Sequence, residues 1–280
     1  VESDATPVPA ATRQSLAASD LQEALKSNQF QLDAQPITGL RAQEAHPVGY
    51  EVLVRLRNSA GEMLAPDRFL DACGQFGLLP ALDRWVLCAA VDVLRPHAQA
   101  LASSPLFFAL NVSGQSLESR KYSAFVLETL AGAGLPASLF CFELKETAAI
   151  ANLVGADAFI RDITSAGAKV ALDDFGSGLS SLAHLKQLPV SYLKIDGRFV
   201  RRIMADRIAE SIVSGIARAA RTLGVVTIAE HVESAAVADR LRELDVTFGQ
   251  GFHLGRPAPF AELVEQAVVP VAMPQRRTRA

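Results

Sequence analysis

The sequence predicts an α/β chain folded as a (β/α)8-type barrel in a single domain. Short apolar runs alternate with helix-like segments over about 250 residues, the pattern of parallel strands joined by crossover helices. The number and length of the repeats fit a closed barrel better than an open sheet. The phosphate loops GxGxxG and GxxxxGK[ST] are both absent, which counts against dinucleotide-binding and P-loop folds. Periodicity by itself leaves a doubly wound sheet open.

The elements follow in order. Residues 1–18, VESDATPVPAATRQSLAA, are rich in Ala, Pro and Ser and read as a flexible linker at the front of a cut-out fragment. The ordered domain is expected over 19–268, and 269–280 reads as a basic tail. Ser19 with Gln22 predicts a capping box, and Leu21 with Leu25 a helical face. Strand candidates are FQLDAQPI (30–37), GYEVLVRLR (49–57), LFFALNVS (106–113), LFCFELK (139–145), KVALDDF (169–175), SYLKID (191–196), GVVTIAE (224–230) and VTFGQGF (246–252). Between them, residues 201–224 repeat Ile208, Ile212, Ile216 and Ala220, with Gly224 placed to end the helix. Trp85, Cys88 and Val91 share one face of another helix, and ANLVGADAFIRDITSAG ends at Gly167. These stripes are read as core packing.

Composition narrows the partners. The chain has 280 residues, 50% hydrophobic, with a net charge of −3. There is no basic excess to grip a nucleic-acid polymer, so a phosphate-bearing partner must be met locally. Cys73, Cys88 and Cys141 form no CxxC pair and read as buried thiols of a reducing compartment. The five histidines, His184 and His253 among them, show no zinc spacing. No apolar run reaches the roughly 18 residues that span a membrane. A cytoplasmic domain without direct membrane contact is expected, in a parent that could itself be anchored.

In a barrel, chemistry gathers at the C-terminal ends of the strands. Asn111 ends FFALN, Glu143 lies near the end of FCFELK, Asp173 and Asp174 close KVALDD, Lys194 closes YLK, Glu230 closes VVTIAE, and Gln250 lies in TFGQG. Period 2 places Glu51, Leu53 and Arg55 on one face. Any one of these charges could simply meet solvent or cap a helix. Together they form a polar cup whose acids repel without a cation, and oxygen-rich cups suit Mg²⁺ or Mn²⁺. Adjacent Asp173 and Asp174 could serve two such ions.

These motifs resemble the EAL-domain family, the bacterial cyclic di-GMP phosphodiesterases, over roughly residues 22 to 268. QPI, YEVLVR, LNVS, FELKET, ALDDFGSGLSSL, LKID, AEHVE and QGFHLGRP occur in the family's order. The resemblance implies a modified TIM barrel with two divalent metals, Mg²⁺ or Mn²⁺, hydrolysing cyclic di-GMP to linear pGpG. It implies metal ligation by Glu51, Asn111, Glu143, Asp173, Asp174 and Glu230, and catalytic roles for Lys194 near the attacking water, for Glu230 and Asp174, and for Glu233, the second glutamate of its motif. Gln35, Arg55 and Gln250 are implied at the nucleotide. The loop FGSGLSS (175–181) is implied to couple the metal site to a homodimer interface, steadied by Glu146. Sensor or GGDEF domains often accompany such domains. The alternative within the family is a catalytically silent cyclic di-GMP receptor that signals to a protein partner.

Some positions depart from the family pattern. Lys145 stands where Thr or Ser is common, on the face of Glu143; it either pairs with a ligand carboxylate and competes with metal, or reaches solvent. His231 replaces a usual Gly beside Glu230. Asp33 and Ala34 stand where aromatics are common, and Gly197 with Arg198 alters the usual order after KID.

Overall fold

The strands are β1 (Phe30–Gly39), β2 (Pro47–Arg57), β3 (Met63–Leu64), β4 (Phe107–Val112), β5 (Phe140–Lys145), β6 (Lys169–Phe175), β7 (Tyr192–Ile195), β8 (Val226–Ala229), β9 (Phe248–Gly249) and β10 (Ala258–Pro259). They belong to a computed structural model that describes residues 16–27, 29–41, 46–58, 61–176, 185 and 187–268. Strands β2, β4, β5, β6, β7, β8 and β9 pair in parallel, each with the next. Strand β1 closes the barrel between β9 and β2, antiparallel to both. Short β3 and β10 extend β2 and β1 outside the ring.

The closed eight-stranded barrel agrees with the expected fold class, but β1 departs from an all-parallel reading. A parallel return needs a crossover of roughly a dozen residues or more. The link from Gly39 to Pro47 is too short for one, so the chain reverses instead.

The barrel interior is built in tiers by the two-residue period of strands. Ile37, Phe107, Ala109, Cys141, Ala171, Tyr192 and Ile228 form an apolar plug, separate from the larger core between barrel and helices. The Phe107 and Tyr192 rings stack with centroids 4.7 Å apart. Gly49 leaves room for them, since a Cβ there would stand 2.8 Å from the Phe107 ring. Two residues from a plug position or from Gly49, seven of the eight barrel strands carry a polar side chain or lead straight into one. These are Gln35, Glu51, Asn111, Glu143, Asp173, Lys194 and Glu230.

The helices differ from expectation at their edges. The first spans Ala18–Lys26, so it takes in the last residue of the expected linker; residues 1–15 and 269–280 lie outside the described ones. The Ser19–Gln22 capping box does not form. The Asp20 carboxylate instead accepts from the Ala17 N–H at 3.3 Å.

Helix Arg207–Leu223 starts at Asp206, whose carboxylate accepts from the N–H groups of Ile208 and Ala209, and ends at left-handed Gly224 as expected. Its buried face is Ala209, Val213, Ile216, Ala217 and Ala220, while Ile208 is 73% exposed. A strict every-fourth-residue row drifts around a helix of 3.6 residues per turn and leaves the core side. In helix Leu79–Leu94 the buried stripe runs through Leu82, Val86, Leu87, Ala90, Val91 and Leu94, which puts Cys88 on the exposed side. The expectation of three buried thiols therefore holds for Cys73 and Cys141 alone. Among the described residues no helix is long and apolar enough to cross a membrane.

Candidate active site

The polar tier converges on one ammonium. Lys194 Nζ lies 2.8 Å from Glu143 Oε2, 3.1 Å from Glu51 Oε2, 3.1 Å from Glu230 Oε1 and 3.2 Å from Asp173 Oδ1. The lysine side chain is only 1% exposed. An ammonium has three donors, so four carboxylates exceed its capacity. Among the described residues, buried Glu143 Oε1 and Asp173 Oδ1 lack a hydrogen-bond partner. The Asp173 oxygen is near Lys194 in charge contact but not in hydrogen-bonding geometry.

Two amides also reach Glu51, Asn111 at the oxygen that Lys194 leaves free and Gln250 at the one it shares. Asn111 Nδ2 donates to Glu51 Oε1 at 2.9 Å, and Gln250 Nε2 donates to Glu51 Oε2 at 2.7 Å and to Gln35 Oε1 at 3.1 Å. Gln35 in turn donates to the Gly255 carbonyl at 2.9 Å. The reversed direction of β1 makes Gln35 the register partner of Glu51.

The electrostatics follow from this crowding. Burial pushes the Glu51 carboxyl up, but the Lys194 charge and hydrogen bonds from Gln250, Asn111 and Lys194 outweigh it and hold it below the ordinary value. Glu143 lies well above the ordinary value, because burial dominates and Glu51 and Asp173 add repulsion that Lys194 does not cancel. Glu230 is pushed up to about 8 by burial, with Asp173 and Glu51 acting in the same direction. Burial works against the charge of Lys194, yet the four carboxylates hold it well above the ordinary lysine value. The cup holds more negative charge than one ammonium can balance.

Strict alternation would send the side chain of Asp174 to the opposite face from Asp173. The strand avoids this. The β6–β7 register shifts between Leu172 and Phe175, and Asp174 takes a left-handed φ of 55°. Asp173, Asp174 and Glu230 thereby each offer an oxygen within 4.8 Å of the others. Hard oxygen donors, two orphaned buried oxygens and two raised carboxyls fit a divalent cation. The cluster can hold a metal ion.

The rim carries two further ion pairs. Lys145 Nζ bonds Asp174 Oδ2 at 2.9 Å. Arg55 Nε bonds Asp33 Oδ2 at 2.9 Å, a partner that the sequence reading did not assign to it. Asp33 shares the inward face of Gln35, and the antiparallel register places it opposite Leu53, two residues from Arg55. Glu146 is buried and accepts from the Gly176 N–H at 3.0 Å, where the FGSGLSS segment begins; residues 177–181 of that segment and His184 lie outside the described residues. Glu233 is not drawn into the Lys194 cluster. Its side chain is exposed, 3.9 Å from His231 Nδ1. His231 fills the space over Gly197, where a Cβ would come within 2.0 Å of the ring. These two departures from the family pattern fit each other.

The EAL domain family matches residues 18–257. This chain belongs to the EAL domain family. It is 35% identical over 244 residues to the cyclic di-GMP phosphodiesterase PdeB of Shewanella oneidensis, covering 87% of this chain and 28% of that protein. It is 33% identical over 247 residues to the cyclic di-GMP phosphodiesterase PdeF of Escherichia coli, covering 88% of this chain and 32% of that protein. The chain thus spans about a third of the length of these curated relatives. Among solved structures, the EAL fold is similar to the PaMucR phosphodiesterase in complex with c-di-GMP. The TM-score is 0.81 at 30% identity, covering 88% of this chain and 98% of that one. The FimX EAL domain from Pseudomonas aeruginosa bound to c-di-GMP matches with a TM-score of 0.78 at 30% identity, over 86% of this chain and 95% of that one.

Proposed function

We propose that this EAL domain is a metal-dependent phosphodiesterase that opens cyclic di-GMP to linear pGpG. The observation that carries the reading is the acidic cup around Lys194, which has orphaned buried oxygens at the C-terminal rim of the barrel. Glu51, Asn111, Glu143, Asp173, Asp174 and Glu230 would hold two Mg²⁺ or Mn²⁺ ions. Such ions lower the pKa of water and offset phosphoryl charge.

The chain's own residues do the rest. Water attacks phosphorus as the bond to the 3′ oxygen breaks, leaving a 5′ phosphate on pGpG and a proton on the 3′ oxygen. Once bound ions take over its carboxylates, Lys194 would donate to the attacking water and stabilise charge on the phosphoryl group. Arg55 offers a planar fork to the phosphate oxygens, in exchange for Asp33. Gln35 and Gln250 hold the wall against which the nucleotide lies. Glu146 fixes the start of the 175–181 segment, through which a second copy of the chain would pair. In the parent, sensor or GGDEF domains would set the activity.

The test is nucleotide chromatography after incubation with cyclic di-GMP in Mg²⁺ or Mn²⁺, with Glu51→Ala run in parallel. The wild type is expected to give pGpG and the variant none; equal product from both would overturn the assignment. A second reading, a receptor that binds cyclic di-GMP without cutting it, is favoured by one observation: Asp174 is already paired with Lys145. Binding without turnover in either metal would establish it.

A further inference from the structure

We propose that Lys145 is a displaceable counter-ion of the acidic cup, one that a divalent cation must evict from Asp174 in order to bind. The inference rests on the metal-site reading above and deepens it. Lys145 lies two residues beyond Glu143 on the inward face of β5, with Asp173 as its register partner on β6. From there its ammonium reaches Asp174 Oδ2 at 2.9 Å. Asp174 is one of the three acids whose oxygens cluster within 4.8 Å. An ammonium and a divalent cation on one carboxylate repel each other, so occupancy by one disfavours the other.

The pair is also built to open. The Lys145 side chain is 62% exposed and that of Asp174 35%. Solvent-exposed ion pairs are weak, so the bond breaks at small cost. The four-carbon lysine stem gives the ammonium water to swing into. Lys194 has no such exit, because leaving would strand four carboxylates around it. Lys145 thereby raises the metal concentration at which the cup fills, and it keeps Asp174 neutralised until then.

The test reads metal binding alone, without nucleotide. The metal-free chain is titrated with Mn²⁺ by calorimetry, and free Mn²⁺ is followed by electron paramagnetic resonance. The wild type is compared with Lys145→Met, which removes the charge, and Lys145→Arg, which keeps it. Lys145→Met is expected to bind Mn²⁺ about two- to fivefold more tightly, the scale of one lost exposed charge contact, and Lys145→Arg to match the wild type. Indistinguishable isotherms for wild type and Lys145→Met, whether tight, weak or flat, would overturn the proposal, as would weaker binding by the Met variant. Circular dichroism checks each fold, and Lys145→Gln carries the same expectation if the Met variant melts early. A chain that binds metal as expected but makes no pGpG would refute the hydrolase reading and leave this one standing.

Discussion

Lys194 and Lys145 sit on neighbouring parts of the same barrel mouth and do opposite work. Lys194 is 1% exposed and touches four carboxylates; Lys145 is 62% exposed and touches one. Arg55 lies between them: its side chain is 16% exposed, pairs with Asp33 and donates to the Val54 carbonyl at 3.2 Å. The difference teaches where charge is structural and where it can be exchanged. In the depth of the cup, removing the cation leaves buried charges that nothing else can pair. At the rim, water can replace either partner, so metal or phosphate can compete for it.

The largest expected effect breaks the deep half of this comparison. Lys194→Met is expected to lower kcat by about a thousandfold or more, the range for a lost proton-handling and charge-stabilising group. It is also expected to destabilise the metal-free chain by about 3–5 kcal/mol, as breaking a buried charge cluster does. Urea unfolding in EDTA checks the second value. A metal-free stability equal to wild type would show that the four carboxylates are not held by Lys194.

A middle-sized effect concerns pH. Glu230 moves from an ordinary 4.5 to about 8 in the folded chain, and Glu143 is shifted in the same direction. The folded state therefore holds protons that the unfolded state releases between those values. Stability from this source is complete below about 4.5 and is lost as pH rises through about 8. Thermal melts of the metal-free chain are expected to fall across that window, and Glu230→Gln to flatten the fall. Melts that rise from pH 5 to 8 in the wild type would contradict the sign.

The smallest effect sharpens the rim half. Asp33→Asn releases Arg55 for phosphate and is expected to lower KM a few-fold, about the worth of a partly exposed ion pair, with kcat little changed. A raised KM would mean that Asp33 orients Arg55 rather than competing for it.

Much of this site was legible because strands alternate. The polar cup and the apolar plug are the same strands read two residues apart, so Glu51, Glu143, Asp173, Lys194 and Glu230 could be placed together from sequence. Lys145 was legible by the same rule, two residues after Glu143. What was not legible depended on backbone departures. Asp174 was expected in the cup from its place beside Asp173, but the register shift and left-handed φ that bring it there are not foreseen by alternation. The Asp33–Arg55 pair depends on β1 running antiparallel, which the expected parallel order hid. Cys88 and Ile208 face water because rows at fixed helical spacing drift off the buried face.

The cup around Lys194 is proposed to cut a phosphodiester with bound divalent cations. The most direct test is to incubate the wild-type chain with cyclic di-GMP in ¹⁸O-labelled water, once with Mn²⁺ and once with excess EDTA, and to weigh the separated nucleotides by mass spectrometry. The product expected with Mn²⁺ is pGpG carrying one ¹⁸O on its 5′ phosphate, and with EDTA intact cyclic di-GMP. Intact cyclic di-GMP in both, or the same product in both, would contradict that proposal.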